Sequence, residues 1–286
     1  MSETSIDAEI NLQSENEPIT FRGRPLNNKP VFGPIKGLIH GVNGSRKTTF
    51  FSQMPNPCLA DTDGNAETTP NKKFVPDVSN FTKERIKTFP EILSLVDDLI
   101  NDNHNFKSFG IDTLSTLNTL CLEHVRGNYK GDKEKLSTYG TDYKLCAMEM
   151  MNLCKKLDEL RDKKRMHVVL LSQTKLVTVH DPIVKIFTRW EPDVNEATAR
   201  IFLDWASFVF YARKPLDFKD DEQAKKGTAT KGSKIRVMPI DIGDHLLYTD
   251  GNAGYCAKNV YNLPSIIETD WKIVAEYIKN YFDENK

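Results

Sequence analysis

Leu38-Ile39-His40-Gly41-Val42-Asn43-Gly44-Ser45-Arg46-Lys47-Thr48-Thr49-Phe50 is the stretch that organises the whole chain. The short apolar run over 37–41 predicts a buried strand. Residues 47–54 predict a helix, which Pro55 and Pro57 stop. Between the two lies the pattern Gly-x-x-x-x-Gly-Lys-Ser/Thr, whose backbone N–H groups surround a phosphate. Gly41, Lys47 and Thr48 stand at the required spacing, and Asn43, Gly44, Ser45 and Thr49 complete the loop. Lys47 is expected to neutralise the β- and γ-phosphates of ATP, and the Thr48 hydroxyl to ligate Mg2+. Arg46 departs from the pattern. It stands where a glycine normally lets the backbone approach phosphate with no side chain in between. Arginine there either points outward and leaves the loop working, or weakens hydrolysis.

Outward from this loop, apolar runs and helical patterns alternate. Residues 58–61 and 109–112 read as further strands. Between them, Thr88-Phe89-Pro90-Glu91 predicts a helix start with Thr88 as cap. Ile92, Leu93, Val96, Leu99 and Ile100 follow at helical spacing. Helices are expected over 114–125 and 141–163, with a loop over 126–139 between them. Residues 166–171 form the clearest buried strand and end at Ser172-Gln173. An irregular charged segment is expected next, then a helix near 195–204 and a strand over 208–211. This alternation predicts an α/β fold, with a mostly parallel central sheet flanked by helices.

The C-terminal third reads differently. Residues 214–234 are polar and charge-dense, as in a mobile insertion. Residues 235–242, 246–249 and 255–260 predict a short antiparallel region, with 251–254 as a hairpin turn. Trp271, Ile273, Val274, Tyr277 and Ile278 predict a closing helix. Residues 1–30 form an acidic leader expected to be disordered, and 31–286 are expected to form one domain.

Composition narrows the function classes. Of 286 residues, 39% are hydrophobic and 28% charged, as in soluble globular proteins. No apolar run approaches the roughly 20 residues that span a bilayer, so no membrane partner is expected. The five cysteines are scattered without zinc spacing, which suits reduced thiols in a cytoplasmic protein. A net charge of −1 excludes coating duplex DNA by bulk basicity, so any nucleic-acid site must be local.

Three further groups are placed at strand ends, where open α/β sheets bind ligands. Asp112 ends the 109–112 strand and is expected to hold Mg2+. Asp63 is the best placed carboxylate to orient an attacking water, with Asp61 and Glu67 as competitors. Gln173 is placed to sense the γ-phosphate.

The order of these motifs resembles the phage RecA-like ATPases of the single-strand annealing type, related to the P-loop cores of RecA recombinases and hexameric helicases. The resemblance rests on residues 41–50, on Pro55-Asn56-Pro57 leading to Asp61-Thr62-Asp63-Gly64, and on Ile111-Asp112-Thr113-Leu114. Leu171-Ser172-Gln173 and Ala257-Lys258-Asn259-Val260 extend it. It implies a RecA-like P-loop fold and a homo-oligomeric ring or filament that binds single-stranded DNA in recombination. A single-strand-binding protein is a further implied partner. It also implies that Asp63 is the catalytic base, that Gln173 couples the γ-phosphate to a DNA-facing loop, and that Lys258 reaches into a neighbour's nucleotide. Asp63 is shorter than the family's glutamate. Val260 stands where the related pattern often has a second basic residue.

The fold that the resemblance implies turns two loops toward DNA. The first holds Arg126, Tyr129, Lys130, Lys133, Lys135 and Tyr139; the second holds Lys175, His180, Lys185, Phe187, Arg189 and Trp190. Basic groups there would neutralise phosphates and aromatic rings would stack on bases. Asp132, Glu134, Asp181 and Glu191 dilute both patches. Two alternatives stay open: a DNA-binding or scaffold protein whose pocket Arg46 disables, and a helicase-type motor.

Overall fold

The computed structural model describes residues 20–21, 24–25, 33–65, 86–138, 140–183, 185–220 and 237–284. Strands β1 (Thr20–Phe21) and β2 (Arg24–Pro25) pair antiparallel. The rest of the acidic leader lies outside the described residues. The chain then runs through β3 (Lys36–Gly41), α1 (Lys47–Ser52), β4 (Pro57–Asp61), α2 (Phe89–Asn101) and β5 (Ser108–Asp112). Next come α3 (Leu114–Asn128), α4 (Lys133–Thr138), α5 (Thr141–Lys164) and β6 (His167–Ser172). They are followed by β7 (Thr174–Asp181), β8 (Lys185–Pro192), α6 (Glu196–Trp205) and β9 (Phe208–Arg213). The C-terminal part adds β10 (Leu216–Asp220), β11 (Val237–Asp241), β12 (Leu246–Tyr248), β13 (Lys258–Asn259), β14 (Ile266–Glu268) and α7 (Trp271–Glu284).

The main sheet has the order β14-β12-β9-β3-β6-β5-β4, with β13 also on β9. Strands β9, β3, β6, β5 and β4 are all parallel, and β12, β13 and β14 are antiparallel additions. This is the expected α/β arrangement with a mostly parallel central sheet, and the loop-bearing strand β3 lies at its centre. Parallel strands carry their C-terminal ends to one edge. Gly41, Asp61, Asp112, Ser172 and Arg213 therefore share that edge.

The strands bury both faces, which is why they read as continuous apolar runs. In β6, Val168 and Leu170 join a core with α2, α3, α5 and α6. Val169 and Leu171 point the other way, into a core with Phe50 and Phe51 of α1 and Trp271, Val274, Ile278 and Phe282 of α7. All four β6 side chains are fully buried. Each such burial contributes about 1.5–3 kcal/mol. Caps fix the helix starts: Thr113 Oγ1 accepts from Thr116 N at the head of α3, and Asn195 Oδ1 accepts from Thr198 N at the head of α6. At α2 the capping is different from the expected one. The Thr88 side chain makes no cap bond, and Glu91 Oε2 instead accepts from the Lys87 backbone N–H at 2.8 Å.

Four sequence expectations need correction. The segment 126–139 is not all loop, because α3 continues to Asn128 and α4 follows. The segment after Gln173 is not irregular. It is a long antiparallel hairpin, β7–β8, with eight residues in each strand. Its alternation is hard to read because neither face is fully covered; Leu176 and Ile186 are 55% and 64% exposed. The predicted 246–260 hairpin does not form: β12 and β13 both pair with β9 and not with each other. The 214–234 insertion begins as strand β10, paired with β11. Residues 221–236 lie outside the described residues.

Candidate functional site

The loop after β3 is built by contacts that only certain residues allow. A Cβ on Gly41 would lie 2.2 Å from the Ala212 carbonyl oxygen of β9, so only glycine fits. Gly44 (φ 76°) and Arg46 (φ 62°) both adopt the left-handed conformation that turns the loop into α1. For a non-glycine residue this costs on the order of 1–2 kcal/mol. Arg46 is exposed.

Lys47 is 8% exposed and folds back over the loop. Its Nζ donates to the Gly41 and Val42 carbonyls, both at 3.0 Å, and to Ser45 Oγ at 3.2 Å. Burial lowers its pKa to about 8, opposed by Asp112 and Asp63. Thr48 Oγ1 donates to Asp112 Oδ2 at 2.5 Å. Burial raises Asp112 to about 6; the Thr48 hydrogen bond and Lys47 pull it back, while Asp63 and Asp61 add to the rise.

A cleft of about 480 Å³ opens over these groups. Residues 43–49 form one wall; Asp63 and Asn65 after β4, Asp112 at the end of β5 with Thr113 behind it, and Gln173 after β6 form the other. Asp61 is used differently from Asp63. Its Oδ1 accepts from the N–H groups of Asp63 and Gly64, so it shapes the turn that presents Asp63 to the cleft. Glu67 lies outside the described residues. Thr48 and Asp112 offer two hard oxygen donors side by side. Among the described residues no cluster of three His, Cys, Asp or Glu could hold a metal ion. Two protein oxygens nevertheless suit Mg2+, which keeps its remaining positions for water and substrate phosphate.

A family model described as "AAA domain" matches residues 33–261. The chain belongs to that family. All five parallel strands and every residue of the cleft fall within the matched span of this AAA-domain, P-loop protein. No curated protein matches the chain. Among solved structures, the crystal structure of the RadB recombinase is similar at 16% identity, covering 64% of this chain and 77% of that one. Its TM-score of 0.36 marks a likeness too distant to say what this chain does.

The AAA-domain protein handles the other sequence candidates unevenly. Arg126 is paired with Asp142 through Nε and Nη2 at 2.9 and 2.7 Å. Lys175 donates to the Val194 carbonyl and lies 3.7 Å from Asp193. Arg189 pairs with Glu191 two residues along β8. Trp190 stacks on Tyr211, with centroids 6.5 Å apart and planes at 18°. Lys130 and Lys185 are exposed, Tyr129 is half-buried, and Lys133 opens α4. Tyr139 lies outside the described residues. Lys258 Nζ donates to the carbonyls of Leu203, Asp204 and Ala206 at the end of α6, at 3.2, 3.3 and 2.6 Å.

Two groups near the loop escaped the sequence. A second recess, about 370 Å³, adjoins residues 42–45 on the β9 side and is lined by Arg213, Lys214, Asp241 and His245. His40 is fully buried directly before Gly41. Nothing in the local pattern marks either histidine, because both positions depend on segments distant in sequence.

Proposed function

We propose that this AAA-domain protein binds and hydrolyses ATP with Mg2+ and binds single-stranded DNA as a self-assembling cytoplasmic ATPase of DNA recombination, in strand annealing or exchange of the phage type. The observation that carries the nucleotide part is the grouping of Lys47, Thr48 and Asp112 at one end of the central strands, with Thr48 bonded to Asp112. Lys47 binds the β- and γ-phosphates, exchanging its loop carbonyls for phosphate oxygens. Thr48 and Asp112 would hold Mg2+, which would supply charge neutralisation at the phosphates. Asp63 orients the attacking water from across the cleft, and Gln173 contacts the γ-phosphate.

The DNA part rests on the resemblance and on the position of β7–β8 directly after Gln173. Lys130 and Lys185 are exposed and open to phosphate; Arg126, Lys175 and Arg189 would have to exchange protein partners for DNA. A role for Lys258 at a neighbour's nucleotide likewise requires its release from α6. One observation favours a second reading, a P-loop protein that binds nucleotide but hydrolyses it weakly: Arg46 occupies a left-handed position suited to glycine. Steady-state ATP hydrolysis with Mg2+, measured with and without single-stranded DNA, separates the two. The proposed function predicts turnover that single strands stimulate. Tight ATP binding without turnover in either condition selects the second reading.

A further inference from the structure

His40 links the nucleotide loop to the β7–β8 hairpin through two ring nitrogens. Its Nε2 is 2.7 Å from the Cys256 carbonyl oxygen, and its Nδ1 is 3.1 Å from Thr174 Oγ1. Both contacts lead to the base of the hairpin. Thr174 opens β7, immediately after Gln173, and its hydroxyl lies 2.9 Å from the Glu191 carbonyl oxygen on β8. The Cys256 N–H donates to the Trp190 carbonyl, and the Trp190 N–H donates to the Gly254 carbonyl, each at 2.9 Å. The hairpin therefore joins the core through a small set of bonds around Thr174 and Trp190, and His40 touches both ends of that set.

Proton counting shows that this set cannot be satisfied in full. A carbonyl only accepts, so Nε2 carries the proton that faces Cys256. Burial, aided by the Lys47 charge, holds the ring neutral, with its pKa lowered to about 4 despite the Cys256 bond. Nδ1 is then a lone-pair acceptor. Thr174 has one hydroxyl proton and two acceptors within reach, His40 Nδ1 and the Glu191 carbonyl. Given to Nδ1, the proton ties β7 to the loop strand and gives up the Thr174–Glu191 bond, while the β7–β8 ladder stays paired. Given to Glu191, it locks β7 to β8 and leaves Nδ1 without a donor.

We propose that the Thr174 hydroxyl, shared between His40 and Glu191, is a positioning element through which nucleotide in the cleft sets the order of the hairpin. This rests on the nucleotide site proposed above. Lys47 is the connecting charge. Its ammonium is held 3.0 Å from the carbonyl of Gly41, the residue after His40, and lowers the basicity of the ring; a poorer acceptor at Nδ1 favours the Glu191 arrangement. Phosphate pairs with Lys47 and offsets that charge, so Nδ1 becomes the better acceptor and the hydroxyl turns toward it. The hairpin base loses its Thr174–Glu191 bond and opens more often.

The test is amide hydrogen exchange across 174–192 in the full chain, with and without ATP and Mg2+, alongside nucleotide affinity on the same samples. In the wild-type protein, ATP is expected to speed exchange at the hairpin base by about fivefold or more. Thr174→Val keeps the shape and removes the proton. It is expected to bind ATP within about threefold of wild type while losing the ATP-dependent change, whereas Thr174→Ser restores it. Melting temperatures show that both variants fold. A merely structural threonine would make the Val variant exchange faster by the same factor in both conditions, leaving the ATP response intact; that result overturns the inference. Wild-type protein that binds ATP with no change at the hairpin overturns it too, and leaves the nucleotide site standing. Wild-type protein that binds no ATP overturns both.

Discussion

The nucleotide cleft and the β7–β8 hairpin meet at Gln173 and Thr174, yet they use their polar residues in opposite ways. In the cleft, Lys47, Thr48, Asp63, Asp112 and Gln173 come from four separate segments, each at the C-terminal end of a parallel strand, and converge on one space. On the hairpin, Lys175 and Arg189 turn to partners on or beside the same ribbon, Asp193 just beyond β8 and Glu191 on β8. The cause lies in the sheet. Parallel strands carry all their C-terminal ends to one edge, so polar residues that end successive strands meet whatever lies between them. An exposed ribbon imposes no such convergence, and each charge takes the nearest opposite one.

The largest expected effect is on the cleft side. Lys47→Ala should weaken ATP binding by at least about 100-fold, close to 3 kcal/mol, in a fluorescence titration. Affinity within a factor of two of wild type would break the comparison at its stronger half.

Asp112→Asn should lower Mg2+-dependent turnover by about 100-fold and change Mg2+-free ATP affinity far less. The same variant tests the electrostatics. Asp112 has a folded pKa of about 6, above its ordinary 3.8. The native state therefore holds this proton more tightly, and stability falls as pH rises from about 4 to 6. Removing the charge should raise stability at pH 7 by on the order of 1–3 kcal/mol. Thermal melts from pH 4 to 8 should show that slope in the wild type and a flatter profile in the variant. Identical profiles would mean that Asp112 is well solvated.

The two regions also differ in how far they were legible in the sequence. The cleft was legible because Gly41, Lys47 and Thr48 form a local pattern, and because apolar runs ending in Asp112 and Gln173 mark strand ends. Arg46 was visible as a departure, but its left-handed backbone was not. The hairpin was missed because the signal for a strand is burial of alternate residues, and Leu176 and Ile186 are exposed. Arg126 looked like a DNA contact because Asp142, the buried carboxylate it pairs with, lies on a different helix. The pairing of β12 and β13 with β9 depends on tertiary position alone, so turn residues between them suggested a hairpin that does not form.

Two smaller effects sharpen the contrast. Arg46→Gly should raise thermal stability by about 1 kcal/mol by relieving the left-handed backbone. If the arginine handicaps the loop, hydrolysis rises with it; if hydrolysis falls, the side chain has its own role there. Lys258→Ala should cost about 1 kcal/mol through lost bonds to the α6 carbonyls. Hydrolysis that also falls at unchanged ATP affinity would place Lys258 at a neighbour's nucleotide, and unchanged hydrolysis would confine it to α6.

The smallest effect is at the proposed DNA-facing residues, one after α3 and one on the hairpin. Replacing Lys130 and Lys185 together by alanine should weaken single-strand binding several-fold and lower the slope of log affinity against log salt by about 1–2. An unchanged slope would mean that neither lysine meets DNA phosphate.

The most direct test of the central claim is calorimetric titration of ATP into the wild-type protein at pH 7, once with Mg2+ and once with a chelator. A cleft built from Lys47, Thr48 and Asp112 predicts one saturable site, with tighter binding when Mg2+ is present. No binding, or binding of equal strength in the two titrations, would contradict it.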